Sequence, residues 1–154
     1  MDVSFELEQW LPGMNASGKE GKRLARALGF LQLFIGLGAV AGGLGLVSEP
    51  DGSNLGMPLS MLEHSPFPDF LIPGMVLLMV NGLGSIAGSV ASFRLFRHAA
   101  EIAMVLGAFL VAWLIMQVYW IQTFHWLHAL YFVLGITEIF LGWLFRKALR
   151  VSDW

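Results

Sequence analysis

The sequence predicts an all-α transmembrane fold: a four-helix up-down-up-down bundle with a longer outer loop between helices 1 and 2. Three observations predict it. Hydrophobic residues make up 56% of the 154 positions and charged residues only 13%, against roughly a quarter in soluble domains. That leaves too little polar surface to cover a globule in water. The apolar residues fall in four long blocks, and every Lys and Arg lies outside them, on alternate connections.

The blocks cover about residues 27–47, 70–93, 102–121 and 126–145. Crossing roughly 30 Å of hydrocarbon takes about 20 helical residues. Helix is the structure that satisfies its own backbone in lipid, and these blocks are too long for barrel strands. The first three carry no charge, and the fourth carries one acid, Glu138. The N-terminus opens with Asp2, Glu6 and Glu8, where a secretory signal is basic. The first block therefore reads as a span kept in the mature protein.

Orientation follows from the cations. Lys19, Lys22, Arg23 and Arg26 precede span one. Arg94 and Arg97 lie between spans two and three, and Arg146, Lys147 and Arg150 follow span four. Residues 48–69 and 122–125 contain none. With four spans the three basic segments share one side, which the positive-inside rule makes cytoplasmic. Residues 1–26 and 146–154 then form cytoplasmic tails around a transmembrane domain at 27–145.

In the N-terminal tail, Val3, Phe5 and Leu7 alternate with Ser4, Glu6 and Glu8, and Trp10 and Leu11 follow. This predicts a short strand or an interfacial segment, broken by Pro12-Gly13. In the outer loop, residues 58–64 predict a short amphipathic helix with Leu59, Met61 and Leu62 on its apolar side. Pro66, Pro68 and Pro73 then extend or kink the chain into span two.

Helical spacing assigns faces. Gln32, Gly36, Ala39 and Gly43 share a face of span one. Gly74, Asn81, Ser85, Gly88 and Ser92 share one in span two, and Tyr131, Gly135, Glu138 and Gly142 in span four. Span three groups Leu110, Trp113, Gln117 and Phe124. Small and weakly polar faces let helices approach closely in lipid, as do Gly38-xxx-Gly42 and Gly84-xxx-Gly88. These stripes build the bundle before they line any channel.

Glu138 is the principal candidate site residue. It lies roughly 10 Å from the inner end of its helix, where an acid costs about 2.5–3.5 kcal/mol on insertion scales. Ser85 and Gln32 fall at similar depth and Asn81 about one turn further out. Arg26 and Arg94 could reach toward it from the inner surface. The alternatives are a hydrogen-bonded clasp between helices, or a proton carrier or ligand anchor. Gln117 and Tyr131 complete the intramembrane polar candidates. On the outer side, His125 and His128 with Glu63, His64 and Asp69 carry metal-ligand chemistry. Their spacing matches no metal motif, and they also fit a wet interface beside Tyr119, Trp120 and Trp126. Glu101, four residues after Arg97 and three after His98, predicts a surface ion pair.

Net charge of −2 gives no basis for nucleic-acid binding, and the absence of cysteine excludes thiol chemistry and disulfides. No Gly-rich phosphate loop and no Ser-His-Asp arrangement is visible, so no catalytic residue is assigned. No cofactor is implied by the residues.

The stretch LGMPLSMLEHSPFPDFLIPGMVLLMVNGLG, residues 55–84, resembles a segment of small bacterial four-span membrane proteins, DoxX-like in architecture. The resemblance implies a bundle in the bacterial cytoplasmic membrane. Some DoxX-like proteins are linked to quinone-dependent redox systems, but no residue here matches such a role. The expected function is an accessory or structural subunit, in a homo-oligomer or with other membrane subunits. The alternatives are a bundle that binds a lipid or quinone, and a proton-linked transporter using Glu138.

Overall fold

The computed structural model describes residues 12–152, with side chains over 18–150. All four expected helices are present: α1 (Pro12–Ser48), α2 (Leu71–Phe93), α3 (Ala99–Ile121) and α4 (Trp126–Ser152). Each contains a stretch long and apolar enough to cross a membrane. No strand occurs among the described residues.

α1 begins earlier than the sequence suggests. Pro12-Gly13 does not break the chain but opens the helix, because a proline at the first helical position lacks an N–H that would be unpaired there anyway. The segment expected over residues 3–11 lies outside the described residues. α2 is not uniform: Leu77–Gly84 is π-helical, between α-helical Leu71–Val76 and Ser85–Phe93. Leu95 and Gln122, both at φ 54°, turn the chain out of α2 and α3. Since α3 stops there, Phe124 falls in the connection and is 68% exposed. It does not share the face of Leu110, Trp113 and Gln117 as expected.

α1 packs against α2 and α4, and α3 packs chiefly against α4. Glycines set the spacing. A Cβ on Gly107 would stand 2.8 Å from the Gly135 carbonyl oxygen, and one on Gly142 3.0 Å from that of Ala100. A Cβ on Gly36 would meet the Gly82 carbonyl at 3.0 Å, and one on Gly43 the Leu78 Cα at 2.8 Å. In the α3–α4 pair, as in α1–α2, residue numbers rise along one helix as they fall along the other. The phenol of Tyr131 occupies the space a Cβ would take at Gly38. The glycine patterns noted in the sequence are therefore used between helices of one chain.

Large apolar side chains cover the surface, and the interior mixes apolar with polar residues. Phe30, Phe34, Leu37 and Leu44 form an exposed stripe on α1, as do Phe132, Ile136, Phe140 and Trp143 on α4. The buried set includes Gln32, Asn81, Ser85, Ser89, Ser92 and Glu138. Large apolar side chains outside and hydrogen-bonding groups inside are what hydrocarbon solvent favours.

The loop between α1 and α2 folds over one end. It has two 3-10 turns, Ser53–Leu55 and Leu59–Leu62, the second with Leu62 buried against Leu46 and Phe70 and Leu59 exposed. The Phe70 N–H donates to the Pro50 carbonyl at 2.8 Å. Gly52 turns at φ +80°, where a side chain would strike the Met57 carbonyl. Beside it the Ser53 hydroxyl and N–H donate to the Asp51 carboxyl at 2.6 and 3.0 Å, which holds Asp51 below the usual carboxylate range.

Gly107→Ala should lower the stability of the α3–α4 pair by about 1–3 kcal/mol through overpacking. Gly18, with nothing within 4 Å of an added Cβ, should accept alanine without loss. Thermal melts of the two variants in mild detergent distinguish them.

Candidate functional site

A seam of buried polar groups links α1, α2 and α4, and Gln32 is its centre. Its amide nitrogen donates to Glu138 Oε1 at 3.0 Å. Its amide oxygen accepts from the Ser92 hydroxyl at 2.8 Å. Gln32 and Ser92 are 0% exposed, and so is Glu138. One primary amide thus joins three helices with both ends of its dipole used. An amide suits this place because it carries donor and acceptor together without charge.

The local sequence brings these groups to one level. Gln32 lies on the small face of α1 with Gly36, and α2 offers Gly88 opposite. A Cβ on Gly88 would be 2.8 Å from the Gln32 amide nitrogen, so glycine makes room for the amide. One turn on, Ser89 Oγ donates to the Gly29 carbonyl at 2.7 Å, a second buried bond between α1 and α2.

The seam is not fully satisfied. Glu138 Oε2 and the Asn81 side-chain nitrogen are buried without a partner. Asn81 sits in the π-helical part of α2 and is 1% exposed. A buried polar group left unpaired costs about 1–3 kcal/mol.

The expected partners of Glu138 separate here. Gln32 bonds to it. Ser85 and Asn81 are buried but do not, and Arg26 and Arg94 are exposed, whereas Glu138 is fully buried. Tyr131 is half-buried against Gly38. Gln117 stands apart, in a cleft at the loop-covered end lined by Leu62, Phe67, Phe70, Trp113 and Trp120 among others. Trp113 Nε1 is buried there without a partner. The sequence did not single out Ser89, nor Ser92 as a bridge. Their signal was the spacing of Ser85, Ser89 and Ser92, four and three apart on one face.

The outer candidates do not assemble. Among the described residues no three of His, Asp and Glu form a group able to hold a metal ion. His128 Nδ1 instead accepts the His125 N–H at 3.0 Å, and Asp69 Oδ1 accepts the Leu71 N–H at 2.9 Å. The expected pairing of Glu101 with Arg97 or His98 is replaced by Arg146 Nε at 3.4 Å. α3 starts at Ala99, so Arg97 and His98 precede the helix and lack the register for that contact.

No family model, curated protein or solved structure matches the chain. The chemistry of the seam therefore rests on its geometry alone.

Glu138→Gln should keep the clasp, since its carbonyl can accept from Gln32. Glu138→Leu should destabilise by about 1–3 kcal/mol, because it strands a buried amide donor. Denaturation midpoints of the two purified variants test this pair.

Proposed function

We propose that this protein is a small integral membrane subunit with an accessory or structural role, in a homo-oligomer or a larger membrane assembly. It crosses the bilayer up-down-up-down with both termini in the cytoplasm. The observation that carries this reading is the Gln32 bridge. Gln32, Ser92 and one oxygen of Glu138, which a carrier or an enzyme would present to a substrate, instead hydrogen-bond one another across three helices. The cations, all at the end where α1 begins and α4 ends, support the orientation. The resemblance over residues 55–84 supports a bacterial cytoplasmic membrane.

Because the glycines are used within the chain, contact with another subunit falls to the exposed large side chains. The α3 stripe of Val105, Ile115 and Tyr119, 68%, 59% and 69% exposed, is one such face. A second reading is that the bundle holds an apolar lipid or quinone-like molecule; the outer cleft, with about 30 Å³ of free volume, would have to widen to admit one. Of the polar anchors expected from the sequence, Gln117 lines that cleft. The proton-linked reading would have to work through Glu138 Oε2.

Crosslinking in native membranes and native mass spectrometry in mild detergent test the accessory role. The expected result is a defined oligomer or a reproducible set of co-purifying subunits. A solitary monomer carrying a stoichiometric quinone or lipid lost on Gln117→Leu would instead establish the second reading.

A further inference from the structure

We infer that the inner end of the α1–α2 seam is a binding site for an anionic membrane lipid, with Arg23, Arg26 and Arg94 at its headgroup and Phe30, Phe34 and Phe93 along its acyl chains. On α1, residues 23, 26, 30 and 34 follow helical spacing along one face. All four are exposed. The cations therefore stand at the end of the same stripe that meets lipid. From α2, Phe93 crosses to that stripe. Its ring lies edge-on to Phe30 with centroids 5.1 Å apart. Gly29 permits this, since a Cβ there would be 2.8 Å from the Phe93 ring. Phe30 and Phe93 remain 66% and 41% exposed, forming an aromatic wall, and Arg94 follows at the end of α2.

Among the described residues the charge at this end has little compensation. Nine cations face Glu20 and Glu101 among the described residues, and the one ion pair among those residues uses Arg146. Lys147 is engaged with the Trp143 ring at 3.8 Å. α1 has 37 residues, about 55 Å at 1.5 Å per residue, so it overruns a hydrocarbon core of roughly 30 Å. Its excess lies at the basic end, packed on α4 where Ala25 and Leu28 are buried with Phe145. Arg23 and Arg26 are thus held on a rigid helix at headgroup level.

Each part of the site matches one part of the ligand. Cations at the surface attract anionic headgroups by about fivefold in affinity per Lys or Arg. An acidic protein would match the cations but leave the aromatic wall uncovered. A diacyl phospholipid of net negative charge satisfies both. The inference rests on the bilayer placement proposed above, but not on the accessory role.

The test is native mass spectrometry of the full chain in micelles doped with equal phosphatidylglycerol and phosphatidylcholine. Subunit number is read from the protein mass and lipid retention from the adducts, so the two proposals fail separately. Phosphatidylglycerol should be retained over phosphatidylcholine by roughly tenfold or more at low ionic strength, and less so as salt shortens the Debye length. Arg26→Gln with Arg94→Gln should remove most of that preference, and Lys19→Gln with Arg150→Gln should leave most of it. Inorganic phosphate at matched concentration should not displace the lipid. Equal retention of the two lipids overturns the site, as does displacement by phosphate or an equal loss in both paired variants. So does a preference that emerges only when the acidic segment 2–11 is deleted, since that segment would then be the occupant. If the Arg26/Arg94 variant does not fold, the lipid ratio and salt response of the wild-type chain still decide.

Discussion

The fold depends on the problem of holding helices together in a solvent as apolar as they are. In hydrocarbon, a leucine gains nothing by moving from the surface to the interior. Close van der Waals approach and hydrogen bonds must replace the hydrophobic effect between helices. Both are supplied at the same places. Gly36 and Gly43 admit α2 to the backbone of α1, Gly107 and Gly142 do the same for α3 and α4, and Gln32 ties α1 to Ser92 of α2 and Glu138 of α4. A Cβ at Gly88 would stand 2.8 Å from the amide nitrogen, so that glycine makes room for the bridge.

This arrangement explains the placement of the acid. A lone carboxyl in lipid is costly, yet Glu138 is fully buried and is met by a neutral amide, not a cation. The basic residues that could have paired with it, Arg26 and Arg94, are exposed. The molecule thus separates its polar groups: hydrogen bonding around a neutral amide within, and at its ends cations on one side and Glu49, Asp51, Glu63 and Asp69 in the loop on the other.

Much of this was legible in the sequence, because helical periodicity and lipid constraints act locally. The faces of α1 and α2 assigned by spacing are buried, from Gln32 to Gly43 and from Gly74 to Ser92. What was not legible depends on where helices end and on how they are rotated. Glu101 found Arg146 because α3 starts after Arg97 and His98. Phe124 left its expected face because Gln122 ends α3. The π-helical stretch around Asn81 has no local signature. Gln32 was identified as a partner of Glu138 from depth alone. Its second bond, to Ser92, required knowing how α2 is rotated.

The central claim is that Gln32 couples three helices through one amide. A double-mutant cycle between Gln32→Leu and Glu138→Leu, measured by reversible unfolding in bicelles, addresses it most directly. The account predicts a double variant that loses less stability than the two single losses added together, with a coupling energy of about 0.6–2 kcal/mol. Additive effects, with no coupling, would contradict it.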